Sequence, residues 1–144
     1  MSELDEAKTL YRAAIRDLNA LLGMLQVNDL FADEIFGQHV QQAVEKLIKT
    51  WLSARGEKYP LIHDLDTLLQ MLEDLGCDVN EYWDLTRFTT FGVRFRYEDF
   101  LSDSESIQRE DVIGQIQGLQ TRVETILQSA QADESENKTD GEVE

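Results

Sequence analysis

The chain has one cysteine and one proline in 144 residues. The lone Cys77 excludes an intrachain disulfide and any cysteine-based zinc site, which fits a reducing, cytoplasmic setting. One proline leaves long stretches without a helix breaker. No apolar run approaches the roughly 18 residues of a membrane span, so no membrane association is expected. The start, Met-Ser-Glu-Leu-Asp-Glu, is acidic and amphipathic, unlike a secretory signal. The two histidines, His39 and His63, fall in different segments, and no His-Glu-x-x-His pattern is present, so no metal site is expected. A Gly-rich phosphate loop and a Gly-x-Ser-x-Gly elbow are also missing, and no cofactor is expected. Basic residues are scarce, 13 against 29 acids, for a net charge of −16. Such a surface repels polyanions over most of its area, which argues against bulk nucleic-acid binding. Any site for an anion must therefore be local.

The segments that are present repeat apolar residues at helical spacing. A first helix starts at a Ser2 cap, with Asp5 in the capping-box position. It carries Ala7, Tyr11, Ala14, Leu18, Leu21 and Leu25 along one seam. Val27-Asn28-Asp29 breaks it. A second helix is expected from Asn28 or Asp29 to about Ala54, with Gly56 as its stop. Its inward face reads Phe31, Ile35, His39, Ala43 or Gln42, Leu47 and Trp51. Pro60 forces an extended connection, after which His63 or Asp64 opens a third helix bearing Leu65, Leu68, Leu69, Leu72 and Leu75. Gly76 ends it. A fourth helix starts near Asn80 and carries Trp83, Leu85 and Phe88. The segment 91–99 breaks the pattern. A fifth helix runs from about Arg109 to Ala130, with Val112, Ile116, Leu119, Val123 and Ile126 inward. The expectation is an all-α, up-and-down bundle of about five helices over residues 1–130, with an irregular segment before the last helix. Residues 131–144 lack large apolar side chains and read as an acidic, disordered tail.

Three stretches carry chemistry. Gln38, His39, Gln41 and Gln42 place four polar groups in the middle of the second helix, followed by Glu45 and Lys46. Gln38, Gln42 and Lys46 are spaced four apart and share a stripe. Polar groups on a core-forming helix cost free energy unless they are bonded. The stripe is therefore either internal glue or a ligand surface using Gln42, Lys46 and His39. His63 is the second candidate, as a capping residue, a phosphate contact or a general base. The third is the locally positive run of Arg87, Arg94 and Arg96 with Phe88, Phe91, Phe95 and Tyr97. Arginine beside aromatics can clamp a phosphate and stack a base, or the arginines can pair with the abundant carboxylates. Cys77 adjoins Asp78, and a neighbouring anion does not lower a thiol pKa, so it is a poor nucleophile.

Gln41-Gln42-Ala43-Val44-Glu45-Lys46, His63-Asp64-Leu65 and Arg96-Tyr97-Glu98-Asp99 occur in that order. Together they resemble the motifs of the HEPN domain family (higher eukaryotes and prokaryotes nucleotide-binding), with Glu98 in place of that family's proline. The resemblance spans roughly residues 5–126. It implies an all-α bundle, homodimerisation, and action beside a small nucleotidyltransferase partner, in some cases as toxin and antitoxin. One branch of the family consists of metal-independent ribonucleases with an Arg-x(4–6)-His motif. Arg55 and His63 are separated by seven residues, and Lys58 sits at the permitted distance but is not arginine. No catalytic residue is therefore carried over.

The expected function is a binding module that engages a nucleotide or a nucleotidyltransferase-type partner through Gln42, Lys46, His63, Arg94, Arg96 and Tyr97. Two other classes fit the same residues. One is a diverged ribonuclease with His63 as base. The other is a bundle that only binds protein.

Overall fold

A computed structural model of the chain describes residues 2–27, 29–89 and 107–142, with side chains as far as Glu136. The segment expected to be irregular lies outside these residues, and so do Arg94, Arg96 and Tyr97. Four α-helices and one 3₁₀ helix are described, with no strand among the described residues. The architecture is an all-α bundle. No described helix is long and apolar enough to cross a membrane.

Helix α1 (Glu3–Gln26) starts as its sequence dictates. Ser2 Oγ accepts a hydrogen bond from Asp5 N at 3.2 Å, satisfying one of the free amides of the first turn. The same hydroxyl donates to Asp5 Oδ2 at 3.0 Å, and this holds the Asp5 carboxyl below the usual carboxylate range. Ala7, Ala14, Leu18, Leu21 and Met24 are buried, while Tyr11 and Leu25 are half-buried.

Helix α2 (Asp33–Ala54) is the central element and packs on every other helix of the bundle. It starts later than expected, with Ala32 as its N-cap. Its inward face is accordingly shifted. Phe36, Val40, Ala43, Val44, Leu47, Ile48, Trp51 and Leu52 are buried. Ile35 is exposed, and Phe31 and His39 are only partly covered. The expected face was displaced by one residue over its first two turns and converged on the true face at Ala43, Leu47 and Trp51. The chain stops at Gly56, whose φ of 77° is open to glycine at little cost.

Helix α3 (Leu65–Asp74) begins at Asp64, whose carboxylate accepts from Asp66 N and from Thr67 Oγ1. Leu65, Leu68, Leu69 and Leu72 are buried. Gly76, at a φ of 87°, turns the chain out of it. The next element, Asn80–Phe88, is a 3₁₀ helix rather than the α-helix expected there. Three residues per turn stack Tyr82, Leu85 and Phe88 on one edge, and these three are buried while Trp83 is half-buried. Tyr82 meets Trp51 edge to face, with ring centroids 6.3 Å apart.

Helix α4 (Arg109–Glu142) runs beyond the expected end at Ala130. Val112, Ile113, Ile116, Leu119, Val123 and Leu127 are its buried positions. Past Leu127 the described side chains are at most half-covered, and helix formers such as Ala, Gln and Glu recur there. Cross-contacts give its direction. Arg109 pairs with Asp33 at 2.8 Å and lies over the Phe36 ring. Arg122 lies over the Trp51 ring. So α4 runs parallel to α2. Tyr11 of α1 bonds Glu124 and Gln120.

Candidate functional site

The buried part of α2 includes a polar row within its apolar face. Gln41 is fully buried, and Glu45 and Lys49 are each only 6% exposed. They are spaced four apart and bond in sequence. Gln41 Nε2 donates to Glu45 Oε1 at 2.7 Å, and Lys49 Nζ donates to Glu45 Oε2 at 3.2 Å. A buried carboxylate is tolerable only when paired and hydrogen-bonded, and Glu45 meets that requirement with a third partner. His63 Nδ1 lies 2.8 Å from Glu45 Oε1. The chain before α3 is thereby tied to the centre of α2. Gln41 Nε2 reaches the His63 carbonyl as well, at 3.4 Å, while Gln41 Oε1 is buried without a partner.

A carboxylate that already receives bonds from an amide N–H and an ammonium acts only as an acceptor. The His63 nitrogen facing it must therefore carry hydrogen. That places the imidazole in its Nδ1–H form and leaves Nε2 without a hydrogen-bond partner among the described residues. The His63 side chain is 57% exposed, against 8% for the glutamate behind it. An oriented, exposed imidazole backed by a buried carboxylate can accept a proton, or, once protonated, can donate to an anion.

Tyr59 closes the network on the other side. Pro60 follows it and holds the connection extended. Its hydroxyl donates to Glu6 Oε1 of α1 at 2.6 Å, and its ring lies 5.2 Å from Lys49 Nζ. Burial, the bond to the Glu6 carboxylate, and the charges of Glu6 and Glu45 push the phenol pKa up to about 12. The short stretch from Tyr59 to His63 is thus pinned to α1 at one end and to α2 at the other. Thr89 Oγ1 accepts from Leu65 N at 3.1 Å, which brings the end of the 3₁₀ helix beside the start of α3.

The residues singled out from sequence divide between two faces of α2. Lys46 Nζ pairs with Asp17 of α1, and His39 Nδ1 lies 3.3 Å from the same carboxylate. That cluster ties α1 to α2. Gln42 is half-buried and Gln38 exposed. Gln42 and Lys46 lie one residue on from Gln41 and Glu45, about 100° around the helix, so the structure does not bring them to His63. Arg94, Arg96 and Tyr97 lie outside the described residues. Arg87 lies over the Phe88 ring, 5.0 Å from its centroid. Lys49, Tyr59 and Asp17 were not singled out. The four-residue spacing Gln41-Glu45-Lys49 was the available signal, since it falls between Val40 and Val44 and beside Ile48 and Leu52.

An open hollow of about 270 Å³ lies at the start of α4 and is lined by Leu25 and residues 107–111. Arg109, its one cation among the described residues, is bound to Asp33 and to the Phe31 carbonyl, and Glu110 and Asp111 add negative charge. It is not suited to an anion.

Comparison with curated proteins and with solved structures gave no match. Comparison with family models matched the HEPN domain over residues 7–131, a span that begins in the first turns of α1 and ends in α4. It contains the Gln41-Glu45-Lys49 row, the Tyr59–His63 connection and the start of α3. The chain therefore belongs to the HEPN domain family.

Proposed function

We propose that the chain is a HEPN-type binding module that engages a nucleotide, alone or carried by a nucleotidyltransferase-type protein partner, with His63 as the contact to phosphate. The observation that carries this reading is the exposed His63 imidazole held by the buried, charge-paired Glu45. A group used only as glue has no need of an exposed ring. Conversely, an exposed ring gains little stability from a partner. In so acidic a chain, one locally directed donor gives phosphate a place to bind by a charge-assisted bond. Action as a homodimer, or within a toxin–antitoxin pair in the cytoplasm, is part of the same proposal, by analogy with other members of the family.

The test is a thermal-shift screen of the full chain against nucleotides, with and without magnesium. A ligand at about 100 times its Kd stabilises the fold by roughly 2.7 kcal/mol, which raises Tm by several degrees. The expected result is a shift with wild type that disappears in His63→Ala, while the unliganded Tm changes little. A nucleotide shift retained in full by His63→Ala would sink the assignment.

The same dyad favours one second reading, a diverged ribonuclease in which neutral His63 acts as base through Nε2. RNA cleavage by the wild type that is lost in His63→Ala would establish it in place of the binding module.

A further inference from the structure

Two roles for His63 require opposite protonation states, and the geometry around Glu45 separates them. We propose that Glu45 is the positioning residue of this site: it fixes His63 in the Nδ1–H form, so that the site takes an oxyanion ligand of the phosphate class only when Nε2 is protonated. This rests on the binding-module reading above.

The charges around the ring decide the sign. From α2, Glu45 faces it, and Glu45 is paired on its other oxygen with Lys49 at 3.2 Å, so their charges cancel locally. Lys49 in turn lies beside Tyr59, whose proton is held by Glu6 of α1. The adjacent Asp64 is occupied by Asp66 N and Thr67 Oγ1 of α3. With Glu45 and Lys49 balanced, a proton on His63 is the added positive charge at the exposed lip. In the neutral ring, Nε2 offers a lone pair and repels an oxyanion. In the protonated ring it offers an N–H. A ring free to choose its tautomer could present N–H at Nε2 while neutral. The bond from Nδ1 to Glu45 removes that option. Binding is then linked to uptake of a proton, whereas general-base catalysis by the same nitrogen would require its loss.

The experiment uses the full chain and sulfate, a phosphate-class oxyanion whose own charge is constant across the range where histidine ordinarily titrates, near 6.5. His63 ring nitrogens are followed by NMR during sulfate titrations at about pH 6.0 and 7.5. The expected result is a shift of the His63 resonances at both values, with affinity severalfold tighter at the lower pH. At the higher pH the free ring should show the nitrogen shifts of an Nδ1–H tautomer, and Glu45→Gln should abolish that preference while circular dichroism stays helical. Equal affinity at the two values, with His63 still responding, would overturn the proton linkage and leave the binding site standing. Absence of any His63 response at either value would overturn the site itself. If Glu45→Gln does not fold, the wild-type tautomer decides alone, and an Nε2–H ring would contradict the positioning role.

Discussion

Glu45 shows how one side chain can connect stability to function. It lies in the core of α2 and has three donors around it: Gln41, Lys49 and His63. Removing a single partner from a buried ion pair leaves an uncompensated charge. Lys49→Met should therefore cost roughly 3–5 kcal/mol, measured by urea denaturation. Lys46→Met, on the less buried pair with Asp17, should cost about 1 kcal/mol. Equal losses would mean that the Glu45 network has no special weight. Tyr59 gives a pH signature at the same scale. Its folded-state pKa, about 12, lies above the ordinary 10. The protonated phenol thus contributes stability that is complete below pH 10 and lost as pH rises toward 12. Tyr59→Phe should flatten the alkaline fall in stability between those values, followed by thermal melts at a series of pH.

At the scale of elements, caps and stops were the most legible features, because they depend on one or two residues acting locally. Ser2, Gly56, Asp64 and Gly76 act where the sequence places them. Asp64→Ala should cost about 1 kcal/mol, as loss of an N-cap does, and should melt α3 first in hydrogen exchange. The face of α2 was harder to read. Ile35 and His39 fit a helical period as well as Phe36 and Val40 do, and only the late start at Asp33 distinguishes the two sets. The site suffered from the same ambiguity. Gln42 and Lys46 look equivalent to Gln41 and Glu45 in sequence, yet a one-residue step turns them away from His63 and pairs Lys46 with Asp17. His63 itself was legible because it adjoins the Asp64 cap and follows closely on Pro60. The partner that orients it was not, since nothing local couples it to a residue eighteen positions earlier.

For the molecule as a whole, charge sets the terms. A net charge of −16 in 144 residues makes the fold repel itself. Raising salt from about 0.05 to 0.5 M should raise Tm through screening, while weakening any anion bound at His63. A salt-independent Tm would contradict the first half. The last described core position of α4 is Leu127, so a chain ended after Ala130 should melt within about 2 °C of the full one. The measurement that bears most directly on function is an NMR titration of the full chain with ATP, comparing His63 ring shifts with those of His39. A phosphate contact at His63 predicts a saturable response there and little at His39, which is occupied with Asp17. A response confined to other residues, with both rings silent, would contradict it and leave the Gln41-Glu45-Lys49 row as internal glue alone.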